Sequence, residues 1–333
     1  MTERVANFEI RRMPADAFFH EEVPFVDTTG ILGFLREVAF EAPLLMVGPS
    51  GVGKTLGVYA LAQELGYPVV EFSCSEDTRD THLIGSFGME GDTVYFGLGA
   101  LTTAIDLANE MHHSKTDAAD GAIVLLNEIN ALTPQAQKML NPLLDFQRTV
   151  NAIAVGRSFK LDTGAKLWFI GTMNPSAFGG TNGLNQDLMR RLMPLYLGYP
   201  TVDQELSILV GLSATMRPDR PELSIPDAVF AIQVAGGQAL VPQLIELATK
   251  TRQGNMEYQI STADLHQVCR NVQRFGLEKA LTLASYKFES ESERSFYVAQ
   301  VQSTTGVDIG SVSVLTPPST TASTPIPRRR RAP

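Results

Sequence analysis

The sequence predicts an α/β fold with a parallel sheet at its centre, followed by a separate helical domain. Three observations carry this. Apolar runs at residues 43–47, 122–126 and 167–170 are continuous rather than alternating, as in strands buried on both faces. The first of them runs straight into a glycine-rich loop and then a helical pattern. From Thr201 onward the apolar periodicity is helical.

The chain has 333 residues, room for a core domain and a smaller one. Hydrophobic residues make up 44% and charged residues 19%, an ordinary globular balance. A net charge of −9 makes it a poor general binder of nucleic acid. Its two cysteines, Cys74 and Cys269, offer neither a disulfide framework nor metal-ligand spacing, which points to a reducing compartment. Met1-Thr2-Glu3-Arg4 leads into no apolar signal core, and no apolar run nears the roughly 18 residues of a membrane span. A cytoplasmic location is expected.

Residues 1–29 read as a polar lead-in interrupted by Pro14 and Pro24. Between Gly30 and Phe40, Ile31, Leu32, Phe34, Leu35 and Val38 give one apolar helical face. The first core strand follows, and then Gly48-Pro49-Ser50-Gly51-Val52-Gly53-Lys54-Thr55, which fits G-x-x-x-x-G-K-[ST]. Glycines let backbone N–H groups turn toward phosphates, and the next helix adds the positive end of its dipole. In this pattern Lys54 reaches the β- and γ-phosphates of ATP, and the Thr55 hydroxyl binds Mg²⁺. Leu56, Ala60, Leu61 and Leu65 set the helix, and Gly66 ends it.

The second strand, residues 67–72, runs into Ser73-Cys74-Ser75-Glu76-Asp77-Thr78, read as a polar helix start; Cys74 fits a small buried filler. Residues 83–96 form two β-rich runs about Gly91, a hairpin. A helix follows to about Met111. His112 and His113 are adjacent, face different sides and lack a third ligand nearby, so they belong to a surface loop. The third strand ends in Asn127-Glu128. A carboxylate at a strand's C-terminal end beside a phosphate loop is placed to act as general base, and Glu128 fills that position; the competing use is an N-cap for a helix from Pro134 to about Phe146. Residues 149–161 suggest a second hairpin about Gly156. The fourth strand delivers Met173-Asn174-Pro175, where an amide can orient water or touch the γ-phosphate. A Gly-Gly-Thr-Asn-Gly loop, a short helix over 184–192 with Arg190 and Arg191, and a fifth strand at 195–197 close a unit spanning 30–200.

Residues 201–302 read as a helical domain. Leu206, Leu209 and Val210 share a face, residues 226–250 hold two helical patterns split near Gly236-Gly237, and Ser261-Thr262-Ala263-Asp264 is a capping box opening a helix. Leu277 to about Phe288 is another helix, and the acidic stretch 289–293 is exposed. Residues 303–333 are rich in Ser, Thr and Pro, predicting a disordered tail that ends in an arginine cluster at 328–331.

With these motifs in order, the chain resembles the AAA+ ATPases, more narrowly their MoxR-type and midasin/dynein-related branch. The P-loop, Leu125-Leu126-Asn127-Glu128-Ile129-Asn130, Gly171-Thr172-Met173-Asn174-Pro175, and the segment from Leu184 to Leu192 ending in Arg190-Arg191-Leu192 carry the likeness, with Cys74-Ser75-Glu76-Asp77-Thr78 and Leu83-Ile84-Gly85 in support. The resemblance implies a five-stranded parallel sheet sandwiched by helices and capped by a C-terminal helical lid. It implies a homo-oligomeric ring, usually a hexamer, with Mg²⁺-ATP at each junction. Glu128 takes the base role and Asn174 the sensor role. Arg191 is the finger reaching a neighbour's site, with Arg190 assisting or exchanging roles. The two hairpins face the ring pore. Partners in this branch are remodelled proteins, often carrying a von Willebrand factor A-type metal-binding domain. Two departures stand out. Asn127 replaces the aspartate that, with Thr55, sets the Mg²⁺ position. Ala263 stands where the lid usually carries an arginine, and Arg270 is about two turns further on, ~10 Å along the axis. The resulting expectation is a ring-forming ATPase that remodels or activates a protein partner. Its alternatives are a slow-turnover assembly switch, favoured by the two departures, and a McrB-like nucleic-acid motor, supported by the basic tail alone.

Overall fold

The computed structural model describes residues 8–114, 119–175, 183–254 and 256–310. The arginine-rich tail and most of the glycine loop after Pro175 lie outside them. In chain order the elements are β1 (Glu9–Arg11), α1 (Ile31–Val38), β2 (Leu44–Val47), α2 (Lys54–Leu65), β3 (Val69–Ser73), α3 (Asp80–Leu83), β4 (Gly85–Glu90), β5 (Thr93–Leu98), α4 (Ala100–His113) and β6 (Gly121–Asn127). Next come α5 (Pro134–Lys138), α6 (Asn141–Leu144), β7 (Thr149–Ala152), β8 (Arg157–Lys160), β9 (Lys166–Met173), α7 (Gln186–Met189) and β10 (Met193–Tyr196). The remainder is helical: α8 (Val202–Gly211), α9 (Leu240–Gln253), α10 (Thr262–Phe275), α11 (Leu277–Ser285) and α12 (Glu291–Thr305).

Five parallel strands form the central sheet in the order β10-β2-β9-β6-β3, the α/β fold expected. Successive residues of each strand serve opposite faces. Leu44, Met46, Ile123, Leu125, Trp168 and Ile170 pack on α1 and α2 through Leu35, Val58 and Leu61. Leu45, Val47, Val124, Leu126 and Phe169 pack on α4 through Leu101, Ile105 and Ala108. Every residue of β2 is buried, which explains its unbroken apolar run. The two hairpins are present as β4–β5 and β7–β8, and β1 adds to the first by pairing in parallel with β5.

Several local expectations give way to tertiary detail. In α2 the buried face is Val58, Tyr59, Leu61 and Ala62, while Leu56 and Leu65 are exposed. The segment 73–78 is a turn held by the Ser75 N–H donating to Thr78 Oγ1 (2.8 Å), and the helix begins only at Asp80. The helix expected over 134–146 breaks into α5 and α6, because Pro142 has no N–H to donate to the Lys138 carbonyl. Residues 226–239 are not α-helical. They form 3-10 turns at Asp227–Ala231 and Ala235–Gly237, and Gly236 and Gly237 both take left-handed backbone. Val210 is exposed, so the inner face of α8 rests on Leu209.

The helical region has its own core, built from Leu209, Leu244, Ile245, Leu265, Cys269, Leu281, Phe288, Tyr297 and Val301. Its last helix, α12, starts where the Ser290 hydroxyl accepts from the Glu293 N–H, a cap that the sequence reading passed over. That helix continues past residue 303, the expected start of the tail, because Thr304, Thr305 and Ile309 are buried against this core.

One buried ion pair ties three lid helices together. Arg252 on α9 donates from Nη1 and Nη2 to both oxygens of Glu205 on α8 (2.9 and 2.6 Å), and Thr262 Oγ1 at the start of α10 donates to the same carboxylate (2.7 Å). The guanidinium lies over the Tyr199 ring, 4.1 Å from its centroid, and donates through Nε to the Ile260 carbonyl. The Glu205 side chain is 1% exposed and that of Arg252 10%. Removing one partner of such a pair strands the other charge. Glu205→Ala should lower unfolding stability by about 3–5 kcal/mol in urea titrations, and Glu205→Gln by less.

Candidate functional site

β2, β6 and β9 all end on one side of the sheet, and their C-terminal residues meet the loop that follows β2. The Gly48 N–H donates to the Met173 carbonyl (3.1 Å), which sets the loop beside Asn174. Gly51 and Gly53 both take left-handed backbone, with φ of 75° and 88°. At Gly51 a Cβ would lie 2.3 Å from Ser261 Oγ, so no side chain fits there. The turn brings the chain into α2 with no side-chain cap on its first N–H groups, which leaves those donors facing the loop.

Lys54 is nearly buried. Its ammonium donates to the carbonyls of Gly48 and Pro49 (2.7 Å each) and to Asn174 Oδ1 (3.1 Å). Burial pushes its pKa down to about 8, and the charge of Glu128 acts in the opposite sense. The lysine is therefore a cation surrounded by neutral oxygens.

The second half of the site is a chain of hydrogen bonds. Thr55 Oγ1 and Thr172 Oγ1 both donate to Asn127 Oδ1 (3.0 and 3.1 Å), and the Glu128 N–H donates to Thr172 Oγ1 (3.3 Å). Asn127 Nδ2 donates to Glu71 Oε1 on the neighbouring strand, and the Tyr59 hydroxyl donates to Glu71 Oε2. Glu128 stands in left-handed backbone at φ 56°, a strained state for a residue with a Cβ, costing of order 1–3 kcal/mol. Its carboxylate has no hydrogen-bond partner among the described residues.

These groups line a cavity of about 520 Å³. Its polar side comprises residues 50–55, Asn127, Glu128 and Asn174; Phe25, Val26, Ile208 and Leu212 give it an apolar wall. The lid closes it from above, where Thr262, Ala263 and His266 reach its edge. The cavity fits a nucleotide. Uncapped helix N–H groups and an ammonium without a carboxylate partner suit phosphate, and the apolar wall suits a base. It also fits a divalent cation. Among the described residues no group of three His, Cys, Asp or Glu could hold a metal alone, so Thr55 and Asn127 would share the ion with phosphate oxygens, as is usual for Mg²⁺.

The structure thus brings together the P-loop, Asn127, Glu128 and Asn174. Arg190 and Arg191 do not line the cavity. Arg191 is held by Asp145 (3.0 Å) and by the Asp187 carbonyl (2.6 Å), whereas Arg190 is exposed and has no bonding partner among the described residues. Arg270 is turned away, donating to the Glu222 carbonyl; His266, one turn after Ala263, is the ionisable lid side chain that faces the cavity. Burial lowers the pKa of His266, whose Nε2 bonds the Leu223 carbonyl at 2.7 Å. Sequence reasoning missed Phe25, Glu71, Thr172 and His266. Phe25 and His266 carry no motif. Glu71 had a visible signal, a charged residue inside an otherwise apolar strand.

Residues 43–192 match the AAA domain of the dynein-related subfamily. The chain is 27% identical over 195 residues to the denitrification regulatory protein NirQ of Pseudomonas aeruginosa, a match spanning 58% of this chain and 69% of that one. It is 26% identical over 184 residues to protein NorQ of Paracoccus denitrificans, spanning 55% of this chain and 63% of NorQ. It is 29% identical over 163 residues to midasin of Giardia intestinalis, spanning 49% of this chain but 3% of midasin. Among the described residues no helix is long and apolar enough to cross a membrane.

The setting of Lys54 predicts a proton linkage. Below its free-state pKa of about 8 the ammonium is already charged. Above it the side chain is neutral until a polyphosphate arrives and raises the pKa again. Between pH 8 and about 10, binding of an ATP analogue should take up a proton, and affinity should fall as pH rises. Calorimetry in buffers of different ionisation enthalpy reads this directly. Lys54→Ala should abolish the uptake and weaken binding at neutral pH at least about tenfold.

Proposed function

The chain is an AAA+ protein of the MoxR-type and dynein-related branch, and from that premise we propose that it is a ring-forming ATPase that remodels or activates a protein partner. The observation that carries this reading is the convergence of Lys54, Asn127, Glu128 and Asn174 on one cavity that no arginine among the described residues lines. Phosphoryl transfer from ATP to water spreads charge over the γ-phosphoryl oxygens, and an arginine commonly stabilises it. Among the described residues of one subunit that arginine is missing from the site. A neighbouring copy in a ring would supply it.

In this reading Glu128 accepts a proton from water as the water oxygen bonds to the γ-phosphorus. The bond from that phosphorus to the β–γ bridging oxygen breaks, leaving ADP and phosphate. The Glu128 carboxylate is free of hydrogen-bond partners among the described residues, as suits a base. Asn174 orients the water and holds Lys54 against the loop. When bound, Mg²⁺ neutralises phosphate charge and fixes phosphate geometry. The apolar wall about Phe25 and Ile208 would receive the base.

Arg191 is the proposed finger and Arg190 its assistant, or the reverse. The ion pair to Asp145 holds Arg191 in a fixed direction, whereas Arg190 is free to reach outward. Both hairpins carry exposed apolar side chains, Met89 at 72% on β4 and Ile153 at 89% beside β7, suited to gripping a polypeptide. A partner with a von Willebrand factor A-type domain, a hexameric ring and a cytoplasmic location belong to the same proposal. A slower, switch-like cycle is the second reading, favoured by an amide at position 127 and by Ala263 at the lid. Turnover that stays below one ATP per subunit per hour with every candidate partner would select it.

Subunit mixing tests the ring. Lys54→Ala subunits have a finger but no working loop; Arg191→Ala or Arg190→Ala subunits have the loop but lack one arginine. Lys54→Ala alone should be inactive, and so should the arginine variant whose residue is the trans finger. Mixed rings should recover ATPase activity, and the arginine variant that complements identifies the finger. Confirmed mixed rings without recovery from either variant would refute a trans arginine.

A further inference from the structure

Asn127 is where the usual pattern has an aspartate, and the structure shows where the missing charge has gone. β3 and β6 are in parallel register, Ser73 beside Asn127 and Glu71 beside Leu125, so Glu71 and Asn127 project from the same face, toward α2. There the Glu71 carboxylate accepts from Asn127 Nδ2 and from the Tyr59 hydroxyl, one helical turn beyond Thr55. Glu71 does not itself line the nucleotide cavity; Asn127 stands between.

This arrangement dictates the amide's direction. A carboxylate only accepts hydrogen bonds, so Glu71 draws the NH₂ side of Asn127 toward itself. The carbonyl side then faces the cavity and accepts from Thr55 and Thr172. Accepting the Thr55 hydroxyl proton leaves the oxygen lone pairs of Thr55 free for a cation. A carboxylate bonded to one end of an amide also polarises the other, making Oδ1 more negative. The pair acts as a carboxylate stretched across two strands.

We propose that Glu71 is a positioning residue for the divalent cation at the P-loop, delivering its charge through the Asn127 amide in place of the usual aspartate. Asn127 is then not a weakened metal site but the partner that Glu71 requires. An aspartate at 127 would press one carboxylate against another, and adjacent carboxylates cannot both stay ionised at ordinary cost. The inference rests on the P-loop cavity being the nucleotide site.

The test measures binding, not turnover. Calorimetry of a non-hydrolysable ATP analogue across Mg²⁺ concentrations gives the Mg²⁺ midpoint and the metal-free affinity. Glu71→Gln still accepts from Asn127 Nδ2 through its oxygen, and its NH₂ can donate to the Tyr59 hydroxyl oxygen in place of accepting from it, so the contacts are kept while the charge is removed. It should raise the Mg²⁺ midpoint about tenfold, with metal-free affinity unchanged or improved. The exchange Glu71→Gln with Asn127→Asp restores one carboxylate and one amide, and its midpoint should return to that of the unaltered protein or below. Tyr59→Phe removes a hydrogen bond without removing charge, and should lower the melting temperature while leaving the Mg²⁺ midpoint in place. An unchanged midpoint in a folded Glu71→Gln protein overturns the proposal, as does an exchange variant no better than Glu71→Gln. If Glu71→Gln does not fold, the exchange variant decides alone: a midpoint at or below that of the unaltered protein supports the proposal, and a higher one overturns it. Failure of the unaltered protein to bind the analogue at all would overturn the reading of the cavity, and this inference with it.

Discussion

A buried ammonium hydrogen-bonded to no carboxylate among the described residues is the constraint on which this site depends. Lys54 keeps its place because the loop turns two carbonyls toward it and β9 supplies a third oxygen from Asn174. Neutral oxygens satisfy its hydrogen bonds without cancelling its charge, and that uncancelled charge is what an anion finds. Two contacts come from the loop and the third from the residue after β9, so the sheet register must be right before the lysine can be held. The parallel pairing of β2 with β9 sets Val47 beside Met173, and the places of the loop and of the Asn174 amide follow from it.

The same register decides the other half of the site. Asn127 closes β6 and Glu71 lies on β3, one of the two edge strands of the sheet. Between them they divide what one side chain does in most P-loop proteins: the amide accepts from Thr55, and the neighbour bears the charge. Glu128, immediately after, is kept apart from this network in left-handed backbone, with Thr172 Oγ1 accepting its N–H. Among the described residues its carboxylate has no hydrogen-bond partner, while its neighbour Asn127 bonds through both ends of its amide.

The lid is joined to the loop by close packing. Ser261 caps α10 through the Asp264 N–H and also fills the space where a Gly51 side chain would be. The next residue, Thr262, donates to Glu205 in the buried pair with Arg252. The start of α10 is therefore packed on Gly51 of the loop and tied to α8 and α9.

Much of this protein was legible in its sequence, because the deciding interactions are local or repeat along one element. Continuous apolar runs marked strands covered on both faces, G-x-x-x-x-G-K-[ST] marked a phosphate loop, and Ser261 with Asp264 marked a helix start. Those signals depend on backbone conformation and burial, which act over a few neighbouring residues. The break at Pro142, the turns at 226–239 and the burial of Thr305 were less legible, since each is a contest between local propensity and packing. Only the tertiary structure decided how the polar groups were paired. Glu71 meets Asn127 across 56 positions of sequence, Glu205 meets Arg252 across 47, and Arg191 is held by Asp145 across 46. The strength of such a pairing depends on distance, direction and exclusion of water, and all three are set by how strands and helices pack.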